Sequence, residues 1–344
     1  MKTKAAIGLL LFLSGMCLAQ PGGEYAFAFL KRPVGARELG IGSYQIAHAT
    51  HDPTAVWQNP ALLSDTVLNQ GYFSWNPYFG VQATHIGYGY KVKKKQRLMT
   101  GMTYYHYGEI EQRDVNGTYE GSFQPNEYAL WTAASWDSGP FRLGSQLTLA
   151  GSHIAGFSAY SVLINMGSYW RDPSENFEVG LVIRNVGFTL KNYIQGQALK
   201  EPLDIRLGLA YKPMHVPLRV HVALHHLQQW DLSYDTSPLQ ITQIGNDGEE
   251  EVPPPPGFGE NLIRHFAFGA ELRIAKSFQF RAGYDFLRRR DFITDTRKAL
   301  AGVSWGFMVH TKKFEFGYTR AYYAVSGGTN MLQLTYSFSS KQKQ

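Results

Sequence analysis

Beyond residue 65 the apolar residues recur at every second position, in runs of ten to fourteen residues. Leu203, Ile205, Leu207, Leu209 and Tyr211 occupy one parity, against Asp204, Arg206, Gly208, Ala210 and Lys212 on the other. Phe278, Phe280, Ala282, Tyr284 and Phe286 repeat this against Gln279, Arg281, Gly283 and Asp285. Leu332, Leu334, Tyr336 and Phe338 do so near the end. A period of two is the signature of strands with one apolar and one polar face. No later segment offers the roughly 20 apolar residues of a spanning helix.

A soluble sandwich also alternates, so three further features decide. The runs are long for a globular strand, whose usual length is about 5–6 residues. They suit a tilted membrane-spanning strand of about 9–11 residues with overhang. Apolar faces end in rings, as at Tyr211, Trp305 with Phe307, Phe314 with Phe316 and Tyr318, and Phe338. Such rings fit the interfaces of a membrane. The connections also alternate in length. The pattern predicts about fourteen strands: 66–75, 80–92, 97–107, 126–137, 140–153, 157–171, 175–187, 201–213, 216–230, 261–274, 277–288, 297–309, 312–323 and 329–339. Every even-to-odd connection is tight. The long connections, near 108–125, 188–200, 231–260 and 289–296, are all odd-to-even. This predicts an all-β, transmembrane antiparallel barrel with short turns at one end and long loops at the other. The composition agrees. There are 21 Tyr, 21 Phe, 7 Trp and 35 Gly, yet mean hydropathy is only -0.26. In a barrel only alternate residues meet lipid, so mean hydropathy stays low.

The first residues read as a secretory signal. Lys2 and Lys4 precede the apolar run Ala5 to Leu13, and Cys17-Leu18-Ala19 offers a small-x-small cleavage site. Lipidation at Cys17 would need a small residue where Met16 stands. Cleavage after Ala19 removes the one cysteine and two lysines, lowering the formal charge from +6 to +4. No thiol chemistry remains, and no basic stripe with interleaved aromatics argues for nucleic acid. The expected organisation is a signal peptide (1–19), an N-terminal plug (20–65) and the barrel (66–344).

Arg142, Gln146, Glu178, Arg184, Asp204, Arg206, Glu271, Arg273, Arg281, Asp285, Lys313 and Glu315 share the polar parity and are expected to face the lumen. A charge turned to lipid at mid-depth costs about 2–4 kcal/mol. Their mixed signs predict ion pairs across a packed lumen rather than a one-sign channel. Gly144, Gly180, Gly208, Gly269, Gly283, Gly302 and Gly317 fall on the same parity and leave room for another backbone. The N-terminal segment, residues 21–65, is the candidate filler, with Asp52–Leu63, DPTAVWQNPALL, plugging the barrel from the short-turn side. Asp52 is a candidate N-cap, Pro53 suits a first turn and Pro60 a stop. Ala55, Val56, Ala61, Leu62 and Leu63 would pack inside, with Trp57 as a wedge.

Residues 35–63, GARELGIGSYQIAHATHDPTAVWQNPALL, resemble the N-terminal hatch of FadL-like outer-membrane proteins. Ala36, Arg37, Gly40, Gly42, Asp52, Trp57, Asn59, Pro60 and Ala61 make up that plug motif. Within the superfamily the chain is most similar to the PorQ family of the type IX secretion system. The segments 22–40, 57–63, 181–193, 201–212 and 224–235 carry that similarity. The resemblance implies a non-enzymatic anchor in the outer membrane of a Gram-negative bacterium. It would hold a PorZ-like surface protein in the attachment complex with PorU and PorV, which joins cargo to lipopolysaccharide. The alternative it implies is a FadL-like channel for hydrophobic or other small solutes. The inward parity, rich in arginine and acids, offers no continuous apolar pocket for one.

Two loops are candidate partner sites. Residues 231–260 hold seven acids and no Lys or Arg, with Pro253 to Pro256 as a stiff stretch. Asp231, Asp235, Asp247, Glu249, Glu250 and Glu251 form either a docking arm or a solvated acidic loop. Glu109, Glu111, Tyr119 and Phe123 mark the second, at 108–125. His221 and His225 share a strand face, with His226 expected on the other. Two positions four apart on a strand lie about 13 Å apart, too far to share a metal. No catalytic motif is present, so neither enzyme activity, metal nor cofactor is expected.

Overall fold

The computed structural model describes residues 26–93, 96–196, 199–232, 243–244, 250–251, 257–291, 300–324 and 327–338. The signal peptide and its cleavage site lie outside the described residues. The chain closes into a barrel of fourteen antiparallel strands, each paired with its neighbours in sequence. They are β1 (Gln70–Tyr78), β2 (Val81–Lys93), β3 (Gln96–His106), β4 (Asn126–Ser138), β5 (Phe141–Ile154), β6 (Phe157–Arg171) and β7 (Phe177–Lys191). Then follow β8 (Asp204–Tyr211), β9 (Leu218–Leu224), β10 (Phe266–Ala275), β11 (Phe278–Asp285), β12 (Val303–His310), β13 (Phe314–Ala324) and β14 (Gly327–Ser337). β1 and β14 close the ring, from Gln70 against Ser337 to Trp75 against Leu332.

The alternation becomes inside and outside. Phe73, Ile86, Leu130, Leu147, Phe268, Phe316 and Leu334 are 41–47 % exposed on the outer wall. Ser74, His85, Ala129, Gln146, Ala267 and Gln333 beside them are buried within. A soluble protein would reverse this, since exposed contiguous apolar surface is costly in water. Rings gather at the short-turn rim, where Tyr336 stands 4.9 Å from Phe314 and 4.8 Å from Phe338. All four long connections leave the opposite end, as the sequence predicts. No helix among the described residues is long and apolar enough to cross a membrane.

Several strand limits differ from the sequence reading. The first strand begins at Gln70 rather than 66, because Asp65–Val67 winds into a 3-10 turn. Residues 216–230 do not form one strand: β9 stops at Leu224, and a positive φ of 55° at His226 turns the chain. His226 is therefore not on an opposite face, and its Nδ1 lies 2.7 Å from Nδ1 of His225. Phe258–Arg264 is a helix, braced by an Arg264–Glu260 pair of 3.2 Å, so β10 starts only at Phe266. Phe286–Asp291 is helical too, because Asp285 Oδ1 accepts from Arg288 N at 3.1 Å and holds the first turn. Both helices sit at the loop end, where no neighbouring strand enforces a period of two.

Candidate functional site

The lumen is filled by the chain's own residues 26–69, which thread its full height. Phe29 packs 5.3 Å from Tyr105 at the loop end, and Arg32 lies over the Tyr78 ring at 4.1 Å. Tyr44 stacks on His225 at 4.2 Å, again near the loops. Asp65 meets Arg97 at 3.0 Å at the opposite rim, and that ion pair lowers the Asp65 carboxyl below its ordinary pKa.

Three cross-strand glycine pairs seat this plug. Gly144 and Gly167 face each other on β5 and β6, beneath Asn59, Pro60 and Ala61. Gly180 and Gly208 face each other on β7 and β8, beneath Ile46 and Ala47. Gly269 and Gly283 do the same on β10 and β11, beneath Ile41 and Gly42. A Cβ at these positions would run into the plug, mostly into its backbone, so the wall must be bare there. Gly317 meets Ala36 at 3.1 Å in the same sense. Gly302 is different: its φ of 88° serves the turn into β12, and it faces Asp285 and Arg289 rather than the plug. Gly167, which the sequence reading did not single out, completes the first pair.

The motif residues converge through hydrogen bonds to the wall. Ala36, Arg37 and Gly40 lie on a short helix, Ala36–Gly40, followed by Gly42 at φ 91°. Ala36 N donates to Gln333 Oε1 at 2.7 Å, and Gln333 Nε2 donates to Asp52 Oδ1 at 2.9 Å. One barrel glutamine thus joins motif halves sixteen residues apart in the chain. Asp52 Oδ1 also accepts from Thr54 N at 3.0 Å, so it caps the turn ahead of the helical residues Ala55–Gln58. Burial raises the Asp52 carboxyl pKa. Asn59, in an extended conformation, ends that helix, and Pro60 opens a second turn, Pro60–Leu62, rather than closing the first. Asn59 Oδ1 accepts from Ala61 N at 3.0 Å, and Nδ2 donates to Ile46 O at 2.9 Å and Ser168 O at 3.1 Å. Trp57 is buried, donates to Arg32 O at 3.3 Å, and lies 5.9 Å from Trp131. Asn59→Ala is expected to cost about 1–3 kcal/mol, from buried partners left unsatisfied. A shift of the heat-modification temperature on a gel measures it, and an unchanged temperature would show that these bonds are dispensable.

Charge completes the seat. Arg37 Nη2 pairs with Glu271 at 2.5 Å, and Glu271 also takes Arg281 Nε at 3.0 Å and His221 Nε2 at 3.2 Å. A second chain runs from Glu38 through Gln58 to Arg206, which pairs with Asp204 at 2.5 Å. His48 Nδ1 meets Glu178 at 2.5 Å, while burial drives the His48 pKa down to about 4 against that attraction. Of the expected inward charges most are buried, but Arg273 and Lys313 are exposed at the short-turn rim. The ion pairs run from plug to wall as much as across strands. The sequence reading missed Glu38, Gln58 and Gln333; polar residues inside an otherwise apolar plug were the available signal.

At the loop end, Ile110–Arg113 and Tyr119–Phe123 form a projecting hairpin. Glu109, Glu111 and Tyr119 are exposed and Phe123 is half-buried. The two acids are already engaged, Glu109 by Ser122 and Glu111 by Arg113 at 2.6 Å. Asp231 is exposed. Glu250 and Glu251 pair with Ile244 and Gln243 in a small ladder, while Asp235, Asp247 and Glu249 lie outside the described residues. What the sequence reading did not foresee is an apolar group that begins at Trp230, next to Asp231 in the chain. Trp230 stands 5.0 Å from Phe258, and both are exposed, with Leu262 on the same helix. Among the described residues no group of three or more His, Cys, Asp or Glu could hold a metal.

No family model and no curated protein matches the sequence. Solved structures do match the fold. The Pseudomonas putida toluene transporter TodX aligns with a TM-score of 0.54 at 13 % identity, over 90 % of this chain and 99 % of that one. The Ralstonia pickettii toluene transporter TbuX gives 0.51 at 12 %, over 91 % and 100 %. A Pseudomonas aeruginosa FadL homologue gives 0.50 at 12 %, over 90 % and 98 %. The fold is that of the FadL-type barrels.

Proposed function

We propose that the chain is a non-enzymatic outer-membrane barrel acting as a closed anchor that holds a protein at the cell surface through its loop end. The observation that carries this is the plug itself. Three glycine pairs and buried ion pairs fix it against the wall on many strands, which suits a sealed pedestal. The loop end supplies something to grip: a projecting hairpin and the exposed Trp230, Phe258 and Leu262. Aromatic residues of this kind commonly anchor interfaces. The segments similar to the PorQ family support a finer reading. The partner would be a PorZ-like protein of the type IX secretion attachment complex, alongside PorU, PorV and lipopolysaccharide.

The second reading is a FadL-like channel for hydrophobic or other small solutes, favoured by a fold shared with proteins described as toluene transporters. Two measurements on one preparation separate them. The anchor reading expects a large surface protein to co-purify from native membranes and to be lost from W230A/F258A. It also expects liposomes carrying the barrel to take up toluene no faster than empty ones. Robust uptake with no co-purifying protein reverses the choice.

The membrane placement is tested separately. Leu147 lies mid-strand on the outer wall, 43 % exposed. Leu147→Arg is expected to cost about 2–4 kcal/mol of folding into a bilayer. Urea titration of folded barrel in vesicles reads this; an unchanged midpoint would mean that the wall does not face lipid.

A further inference from the structure

The short-turn rim has two sectors of different charge. Along β2 to β7 the bases are matched by acids. Lys91 and Arg97 meet Asp65 at 3.9 and 3.0 Å, Arg142 meets Asp137 at 3.1 Å, and Arg171 meets Glu175 at 2.9 Å. The turns joining β8 to β9, β10 to β11 and β12 to β13 are different. Residues 212–217, 273–277 and 310–313 carry Lys212, Arg273, Lys276, Lys312 and Lys313, and no Asp or Glu. All five bases are exposed, and none has a carboxylate partner among the described residues. The three turns also adjoin one another. Arg273 N donates to Pro217 O and His310 N donates to Ser277 O, each at 2.8 Å. The bases therefore form one crescent of a single sign.

Apolar side chains stand among them. Met214 is 76 % exposed, Ile274 61 %, Phe314 49 % and Val216 46 %. Ile274 and Phe314 continue the outer apolar faces of β10 and β13, below Leu272 and Phe316. Met214 and Val216 lie in the turn beyond β8. In water such a surface is costly. At the edge of a bilayer both kinds of side chain are satisfied together. The apolar ones enter the acyl region, while long basic side chains reach the headgroup phosphates. Bases held at that level attract lipids of net negative charge. A soluble acidic partner would answer the charge and leave the apolar residues unmet. A lipid without net charge would answer the apolar residues and leave the five positive charges uncompensated.

We propose that this crescent binds anionic phospholipid in the leaflet that the short-turn end meets. The headgroup phosphate sits among the turns at Arg273, Lys276 and Lys312, and the acyl chains lie along the wall below Ile274 and Phe314. The site rests on the membrane placement that Leu147→Arg tests separately, and on neither reading of what the barrel does there.

The test uses the full-length protein in detergent, titrated with an equimolar mixture of phosphatidylglycerol and phosphatidylcholine. Native mass spectrometry counts the bound lipids. Phosphatidylglycerol is expected to bind roughly fivefold in preference, the effect of one base near anionic lipid. The preference should shrink as salt rises. It should vanish in K276E/K312E, whose positions lie in turns outside the strands, and fall partway in K276E. R113E changes the net charge as much as K276E does, but lies on the projecting hairpin at the loop end; it should keep the full preference. Heat-modifiable mobility shows which variants are folded, and K276Q/K312Q gives the same direction should the double reversal not fold. The proposal is overturned by equal binding of the two lipids, by an unchanged preference in folded K276E/K312E, or by the same loss in R113E as in K276E. Displacement of phosphatidylglycerol by inorganic phosphate at the lipid's own concentration would also overturn it, marking a small-anion site. Displacement by soluble poly-glutamate would do so too, marking a surface for an acidic protein. None of these outcomes depends on whether a surface partner exists.

Discussion

Gly180→Val is expected to destabilise the folded barrel by about 3 kcal/mol, at the upper end of what overpacking costs. A Cβ at Gly180 would collide with the Ile46 carbonyl, and lies 3.1 Å from Ala47 Cα. Backbone cannot yield as a flexible side-chain tip can. Gly208, opposite on β8, is occupied from above by the same Ile46, so the strand has nowhere to move. Gly283→Val should behave likewise, because its Cβ would enter the backbone of Ile41 and Gly42. The plug, no longer able to seat, should become accessible to protease while the strands remain paired. Gly259 in the loop-end helix has open space around it, and Gly259→Ala is expected to be neutral. Heat-modified migration and limited proteolysis of the three variants decide the matter. If Gly180→Val keeps the parent's melting point and protease resistance, the glycine pairs are not the seat.

Glu271→Ala is expected to cost about 3–5 kcal/mol, because breaking a buried ion pair strands its partner. Here two arginines are stranded, Arg37 on the plug and Arg281 on β11, both within 3.0 Å of the lost carboxylate. The Coulomb attraction that offsets the burial of two guanidinium groups disappears, while their desolvation remains. Removing Arg37 as well should restore part of the loss. In Arg37→Met/Glu271→Ala the plug no longer carries a stranded charge, so the two substitutions cost less together than their sum. Urea midpoints of the two single variants and the double give the coupling directly. Strict additivity would show that Arg37 and Glu271 do not communicate, and that the plug is held by shape alone.

The strand number and the side of every long connection were legible because a barrel wall separates two solvents. Each strand must show apolar residues one way and polar residues the other, and a period of two records it. The reading failed where that pressure ends. Phe258–Arg264 and Phe286–Asp291 lie beyond the wall, so local capping set their structure. The inward glycines announced a second backbone, but not which one. That Gly144 faces Gly167 and Gly269 faces Gly283 depends on strand register, which alternation fixes only modulo two residues. The motif residues Ala36 and Asp52 stood out in the sequence. Their common partner, Gln333, did not, because it lies nearly three hundred residues from Ala36.

The sequence by itself determined a closed sheet with an apolar exterior, a charged and glycine-dotted interior, and an N-terminal segment destined for that interior. Those features are local: each strand carries its own pattern, and lipid and lumen impose it on every strand alike. Only the tertiary structure decided how the plug runs from loop end to rim, which glycines pair beneath it, and which carboxylates meet which arginines. Those depend on the relative placement of segments far apart in the chain. Desolvation makes each buried charge require one particular partner, and only the closed barrel brings the two together.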